Sequence, residues 1–140
     1  MALPKSEMEH ADAKVFEHAA VISNSEVATI LTEYMRQRRE EKPTFQPQPL
    51  VQKTLEYVQK FNCGTNPEAV QAMRNYIESI GLRPYEWGLI ANLMPEDSDE
   101  ATKLIPSLVD NPEDPPEEQR GLAGDELDRL LAEVQNLRHA

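Results

Sequence analysis

Prolines divide the chain into short segments, and the apolar residues within those segments recur at helical spacing. The chain has 140 residues, of which 11 are prolines. A proline ends or kinks a helix, because it lacks the backbone N–H and clashes with the preceding turn. Between the prolines, apolar side chains recur every three or four residues, and no segment shows the alternation or the hairpin turns typical of β-strands. The sequence therefore predicts an all-α fold of short helices.

The first predicted helix is amphipathic and is separated from the others by a stiff connector. The sequence Ser23-Asn24-Ser25-Glu26 has the form of a capping box. The helix covers about residues 24–42 and stops at Pro43, which opens a proline-rich connector. Its apolar stripe consists of Val27, Ile30, Leu31, Tyr34 and Met35. This stripe either packs back on the later helices or docks on a partner, and spacing alone does not decide between the two.

Five more helices are predicted in the rest of the chain. They span about residues 50–61, 66–80, 84–94, 97–105 and 125–137. Asn66 and either Asp97 or Ser98 are suited to cap helix starts, and Gly81 is suited to a left-handed helix end. Residues 62–65 are predicted to form a turn.

Each of these helices has an apolar side, and that of the third helix is predicted to face inward. On the second helix it comprises Val51, Thr54, Leu55, Val58 and Phe61. On the third it comprises Val70, Met73, Ile77 and Ile80. On the fourth it comprises Glu86, Leu89, Ile90 and Leu93, with Trp87 beside them. On the last it comprises Leu127, Leu130, Leu131, Val134 and Leu137.

Acidic residues concentrate in the last third of the chain. The whole chain has 25 acidic and 14 basic residues, a formal net charge of −11. Residues 95–126 hold 11 of the acidic residues against Lys103 and Arg120. This excess does not favour phosphate binding, which requires clustered lysine and arginine, and it suits a basic or mixed partner surface. The proline- and acid-rich insert at residues 110–124 is expected to be a solvated loop.

The single basic cluster lies at the end of the first helix and comprises Arg36, Arg38, Arg39 and Lys42. These cations suit the negative end of the helix dipole. The alternative is a contact for an acidic protein surface or for an RNA backbone. Glu40 and Glu41 dilute the positive charge, so free nucleic-acid affinity should be weak.

Residues that could carry catalysis or bind a metal lack the required spacing. His10, His18 and His139 lie near the chain ends and far from Cys63, whereas a zinc site needs about four nitrogen or sulfur ligands, usually in close pairs. No nucleophile elbow, dinucleotide fingerprint, phosphate-binding loop or calcium loop is present. The carboxylates at residues 96–100 are better explained as helix N-terminal charges than as a catalytic pair. We expect no catalytic, cofactor or metal site.

The sequence also predicts a protein without a membrane segment. Residues 1–20 lack the apolar core of a signal peptide. No apolar run approaches the roughly 20 residues that a membrane span needs. The lone Cys63 allows no internal disulfide, which fits a reducing compartment.

Three stretches of the chain together carry a specific signature. The first is Val21-Ile22-Ser23-Asn24-Ser25-Glu26-Val27, and the second is Lys53-Thr54-Leu55-Glu56-Tyr57-Val58 followed by Phe61. The third comprises Leu89-Ile90-Ala91-Asn92-Leu93-Met94-Pro95-Glu96, then Glu100-Ala101, then Leu104-Ile105-Pro106-Ser107-Leu108. In this order, over about residues 21–138, they resemble the family of the fourth-largest subunit of eukaryotic RNA polymerase II.

The resemblance implies a non-catalytic stalk subunit of DNA-directed RNA polymerase II. Such a subunit pairs with the polymerase's seventh subunit and docks on the polymerase core, and it reaches nascent RNA mainly through its partner. It acts in transcription initiation and in handling the transcript. It is expected in the nucleus and is linked to messenger RNA export and decay in a cytoplasmic pool, including P-bodies.

The resemblance also implies a division of the chain. Residues 1–49 would be the N-terminal docking segment, and residues 50–140 an HRDC-like helical bundle that contains the acidic insert. On this basis the partner-binding residues are predicted to be Val27, Ile30, Leu31 and Tyr34.

Two alternatives remain open. One is the paralogous RNA polymerase III stalk subunit, against which the Leu-Ile-Pro-Ser-Leu stretch argues. The other is a free HRDC-type nucleic-acid-binding module, whose surface should be basic, whereas this chain carries a net charge of −11.

Overall fold

The computed structural model describes residues 19–61, 66–117, 119–122 and 124–139, and it contains six α-helices within them. These are α1 (Asn24–Glu41), α2 (Pro49–Lys60), α3 (Pro67–Ser79), α4 (Pro84–Leu93), α5 (Ser98–Leu104) and α6 (Gly124–Arg138). A short 3-10 turn, Pro106–Leu108, follows α5. These ranges contain no strand, so the predicted all-α class is confirmed. The turn predicted at residues 62–65 lies outside the described residues.

Local sequence signals set most of the helix boundaries. The predicted capping box at the start of α1 is present: the Ser23 Oγ accepts a hydrogen bond from the Glu26 N–H, and the Glu26 carboxylate accepts one from the Ser23 N–H. Asn66 and Asp97 cap α3 and α5 in the same way through their side-chain oxygens. Gly81 adopts a left-handed conformation just after α3, with a φ of 80°.

The core lies between α3, α4, α5 and α6. Helix α6 packs against α3 and α5, and α4 packs against α3. The predicted stripe of α6 is confirmed, because Leu127, Leu130, Leu131 and Val134 are buried, while Leu137 is half-buried. Met73 and Ile77 of α3 join the same core cluster. The core therefore forms from helices that are spread over the last half of the chain.

Helices α1 and α2 pack on one another and form a helical hairpin. Ala28 and Met35 of α1 and Val58 of α2 are buried. The hairpin meets the core through α1, which also contacts α3. Helix α1 therefore does pack back on a later helix, but through a different face from the one that holds most of its predicted stripe. The division of the chain at residue 50 stays a prediction.

Helix α4 buries only part of its apolar side. Trp87, Ile90 and Glu86 are buried, whereas Leu89 and Leu93 are exposed. This helix is apolar almost all round, so its spacing did not distinguish the core side from the outer side. Phe61, at the end of α2, is also exposed.

The acidic insert is not a fully solvated loop. Arg120 is largely buried and donates hydrogen bonds to the buried carboxylate of Glu86. The Gly121 N–H donates to the Asp110 carboxylate at 2.6 Å. The expectation of a solvated insert is therefore wrong for Arg120, because this arginine neutralises a carboxylate inside the bundle.

Candidate partner-binding surface

The four residues predicted to bind a partner lie together on one side of α1. At roughly 100° per residue, Val27, Ile30, Leu31 and Tyr34 fall within an arc of about 100°. Ile30 is 54% exposed and Tyr34 44% exposed, whereas Val27 and Leu31 are half-buried. The neighbouring side of α1, with Ala28 and Met35, is the buried one. Intramolecular packing thus leaves Ile30 and Tyr34 exposed and covers Val27 and Leu31 in part.

Helix α2 extends this surface. Leu50, Thr54, Tyr57 and Phe61 recur at intervals of four, three and four residues, so they share one side of the helix. Leu50 is 75% exposed, and the rings of Tyr57 and Phe61 contact each other with centroids 4.9 Å apart. The pattern of the sequence contained this second side, but the stronger buried stripe obscured it.

A groove lies between α1 and α2. It is lined by Thr32, Met35, Arg36, Arg39, Glu40, Gln52, Leu55 and Gln59. The exposed apolar residues of α1 and α2 are absent from the lining of this groove, so on each helix they lie on another side. We call this surface the hairpin face, and it comprises Val27, Ile30, Leu31, Tyr34, Leu50, Tyr57 and Phe61.

Aromatic contacts hold the connector against α1. The rings of Tyr34 and Phe45 meet edge to face with centroids 6.2 Å apart. The Arg38 guanidinium lies over the same Phe45 ring, 5.3 Å from its centroid. These contacts define one end of the hairpin face.

The basic cluster is partly neutralised within α1. Arg36 forms ion pairs with Glu33 and Glu40, and Arg38 pairs with Glu41 at 2.9 Å. Hydrogen bonds from Arg36 lower the pKa of Glu33 to about 2. The local pairing favours the explanation of these cations as a solvated helix end over a nucleic-acid contact.

Arg74 of α3 fixes the hairpin to the core. Its Nη2 donates to the Val21 carbonyl at 2.8 Å and to Glu26 at 3.0 Å. The guanidinium lies 4.2 Å from the centroid of the Trp87 ring. Burial alone would raise the pKa of Glu26, but the hydrogen bonds from Arg74 and the Ser23 N–H together lower it. Glu26 therefore serves both the capping box and this joint.

The residues before α1 lie along α4. The Asn24 N–H donates to the Asn92 side-chain oxygen at 2.8 Å. A Cβ placed on Gly88 would come within 2.7 Å of the Val21 Cγ1. Gly88 thus allows Val21 to approach the backbone of α4 closely. Together with Arg74, these contacts set the direction in which the hairpin face points.

Glu86 is the one fully buried carboxylate in the described core, and every contact identifies it as structural. Its carboxylate accepts from Arg120 at 2.5 Å, from the Ser107 Oγ at 2.7 Å and from the Arg83 N–H at 2.9 Å. Burial would raise its pKa, but the hydrogen bonds from Arg120 and Ser107 lower it. A carboxylate that stays ionised and is bonded on both oxygens is poorly suited to act as a general acid.

The described residues hold neither a metal-binding cluster nor a membrane-spanning helix. Among residues 19–61, 66–117, 119–122 and 124–139, no group of three or more His, Cys, Asp or Glu side chains is placed to hold a metal ion. Within the same ranges, none of the helices has the length and apolarity to cross a bilayer. His139 is exposed, whereas His10, His18 and Cys63 lie outside the described residues.

Comparison with known families decides the relationship of the chain. The sequence model of the family described as RNA polymerase Rpb4 matches residues 21–138. The chain belongs to the RNA polymerase Rpb4 family. The family predicted from the three sequence stretches is thereby confirmed.

Relatives of this Rpb4-family chain occur in distant eukaryotes. DNA-directed RNA polymerase II subunit 4 of Arabidopsis thaliana is 34% identical over 95 residues, which cover 66% of this chain and 69% of that protein. The rpb4 subunit of Dictyostelium discoideum is 37% identical over 61% of this chain and 48% of its own length. The RPB4 subunit of Saccharomyces cerevisiae is 33% identical over 60% of this chain and 34% of its own length. The chain thus spans about half or less of the last two relatives.

Several residues of the Rpb4 signature form hydrogen bonds at helix ends or at the buried Glu86. The Asn92 side-chain oxygen accepts a hydrogen bond from the Asn24 N–H at the start of α1. The Glu100 carboxylate accepts one from the Glu96 N–H at 2.9 Å. Ser107 bonds Glu86 beside Arg120. These polar groups satisfy helix ends and a buried charge. The signature residues therefore help to specify how the helices meet.

Proposed function

We propose that this Rpb4-family chain is the fourth subunit of RNA polymerase II and has no catalytic role of its own. The proposal is supported by the three relatives, which are named as that subunit in a plant, an amoeba and a yeast. It is also supported by the signature residues, whose polar groups are engaged in holding helices together. The alternatives of a polymerase III subunit and of a free nucleic-acid-binding module gain no comparable support.

The hairpin face is the proposed contact for the polymerase's seventh subunit. The observation that carries this proposal is the exposure of three large apolar side chains, Ile30, Tyr34 and Leu50, on the two helices of the hairpin. A group of exposed apolar side chains of this kind is typical of an interaction site. Val27 and Leu31 lie at its inner edge and are proposed to complete the interface.

The wider role follows from this pairing. The heterodimer would dock on the polymerase core as a stalk and would act in initiation and in handling nascent RNA, in the nucleus and in a smaller cytoplasmic pool. Contact with RNA would run mainly through the partner, because a net charge of −11 disfavours phosphate binding by this chain. The local pairing of Arg36 and Arg38 with glutamates supports the same assignment.

The pairing is tested by co-expressing the chain with a seventh-subunit homologue and measuring the molar mass of the product by light-scattering chromatography. We expect a stable one-to-one complex with the unchanged chain. Changing Ile30→Asp and Tyr34→Asp together should weaken binding by at least about a hundredfold, since two apolar anchors are lost from the interface.

A matched control uses the exposed apolar pair of α4, since Leu89 is 37% and Leu93 48% exposed. The double change Leu89→Asp and Leu93→Asp adds the same charge outside the hairpin face and should leave the complex intact. A folded monomer that ignores the seventh subunit would contradict the proposed pairing. Loss of binding in the α4 variant but not in the hairpin variant would contradict the proposed interface.

A further inference from the structure

We propose that α4 carries a second docking surface, which takes a basic amphipathic segment of another protein. The surface consists of Tyr85, Leu89 and Leu93, which recur every four residues along one side of the helix. All three are exposed, and Leu93 is 48% exposed. They lie outside the hairpin face, so the proposed pairing with the seventh subunit does not account for them.

The outer side of α4 is unusual for a helix that packs on a core. The inner side already contributes Trp87, Ile90 and Ala91 to the core. The outer side of such a helix is ordinarily polar. Here Leu89 and Leu93 lie one turn apart on that side. Apolar residues at this spacing are the usual anchors when a helix packs against a partner segment. Core packing therefore does not explain why these positions are apolar.

Segments that are anchored to α4 border this surface on both sides. On one side, residues 21–24 lie along α4 through Gly88 and Asn92, and they carry the exposed Ile22. On the other side, Glu86 bonds Ser107 and Arg120. The leucines thus lie on a rigid strip between two anchored segments, which favours binding without rearrangement.

The charges around this strip identify the kind of partner. Arg120 anchors the acidic insert next to α4, and the Gly121 N–H bonds the Asp110 carboxylate there. Asp114 interacts electrostatically with the exposed Arg83 at the start of α4. Arg83 and Arg120 offset part of the negative charge, but the insert also carries the exposed Glu113 and Glu117. Beyond the other end of the helix lie Glu96 and Asp97, both exposed. An apolar strip with acidic surroundings is complementary to a segment that presents leucine-like anchors flanked by lysine or arginine.

The probe for this surface is a fluorescein-labelled amphipathic peptide with lysines on one face and leucines on the other. A second peptide keeps the lysines and replaces every leucine by glutamine. Fluorescence anisotropy with the full chain should show binding of the first peptide and at least about tenfold weaker binding of the second.

The decisive variant is the double change Leu89→Asp and Leu93→Asp. It makes the surface more acidic, so purely electrostatic binding of a lysine peptide would become tighter. We expect the opposite, a loss of at least about tenfold in affinity, because the apolar anchors are removed. The hairpin variant Ile30→Asp and Tyr34→Asp should bind the peptide like the unchanged chain.

Several results would overturn the proposal. Equal binding of both peptides, or tighter binding by the α4 variant, would reduce the interaction to charge attraction. Absence of binding by the unchanged chain would mean that no basic segment is accepted. If light scattering shows concentration-dependent self-association that the α4 variant abolishes, the occupant is a second copy of the chain. Circular dichroism of both variants checks that these exposed substitutions leave the helices intact.

Discussion

The side chain of Arg74 joins parts of the chain that are far apart in sequence. It bonds the Val21 carbonyl and Glu26 before and within α1, pairs with Glu78 on its own helix, and stacks on Trp87 of α4. Replacing Arg74 by methionine should lower the free energy of unfolding by roughly 1–3 kcal/mol, because a carboxylate and a carbonyl lose their donors at a largely buried site. Urea unfolding followed by circular dichroism measures this loss.

Arg36 provides the comparison, since it also bridges two glutamates but on the exposed surface of α1. The change Arg36→Met should leave the unfolding midpoint nearly unchanged, because exposed ion pairs contribute little. Arg74→Lys should recover only part of the loss, since lysine cannot form the same forked contacts. Equal effects of Arg36→Met and Arg74→Met would show that Arg74 acts only as a surface charge.

Single residues were predictable where the signal is local. Ser23 and Asn66 were predicted as helix caps, and Asp97 was one of two candidates with Ser98, because a cap and its N–H partner lie within three residues. The roles of Arg74 and Arg120 were missed. Each bonds a carboxylate tens of positions away, and a periodic pattern in sequence carries no information about such distant pairs.

The packing of residues 21–24 on α4 is a property of whole elements, and Gly88 allows a direct test. In an ordinary helix, Gly→Ala stabilises by about 1 kcal/mol. Here the new Cβ would lie 2.7 Å from the Val21 Cγ1, so Gly88→Ala should bring no such gain. In a Val21→Ala background the contact is removed, and the same change should then stabilise the chain by roughly 0.5–1 kcal/mol.

Thermal unfolding of the four proteins in this cycle gives the coupling between the two positions. A coupling near zero would mean that Val21 does not rest on Gly88. The control is Gly124→Ala at the start of α6, where the nearest atom to a new Cβ is the Ser98 Oγ at an ordinary 3.6 Å. The response to that substitution should be independent of Val21.

Helices were predicted more accurately than the sides they bury. Prolines and caps located the start of each helix to within a residue or two. The apolar side is the buried side in α6, where apolar and polar residues separate cleanly, but only in part in α4, where Leu89 and Leu93 follow the same period as Ile90. The quartet on α1 shares one side as its spacing predicts, but its extension onto α2 depends on tertiary packing.

At the scale of the whole molecule, two electrostatic effects oppose each other as the pH falls. The chain carries a net charge of −11 at pH 7. Mutual repulsion among exposed carboxylates destabilises the folded state and weakens as they become protonated. The pKa values of Glu26, Glu86 and Asp110 are lowered in the folded protein, through contacts with Arg74 and Arg120 and with backbone N–H groups. Stability from these three is therefore lost in acid.

The variant Glu86→Gln separates the loss of buried carboxylate contacts in acid from the relief of repulsion among exposed carboxylates. Since the folded pKa of Glu86 lies below its unfolded value of about 4.3, the unfolded state takes up the proton first as the pH falls. Above about pH 5.5 the variant should be less stable than the unchanged chain by roughly 2–4 kcal/mol, because Arg120 loses its buried partner.

Below about pH 4.5 the same difference should shrink steadily, as the carboxylate of the unchanged chain becomes protonated through its folded pKa. Chemical unfolding from pH 3 to pH 8 at low and high salt measures this difference directly.

High salt should weaken the contribution of exposed pairs such as Glu33 with Arg36 but should hardly change the effect of the buried pair, Glu86 with Arg120. A difference that is constant at every pH would mean that Glu86 contributes by packing alone. A difference that disappears in salt would place the pair at the solvent surface, which is incompatible with anchoring the acidic insert beside α4.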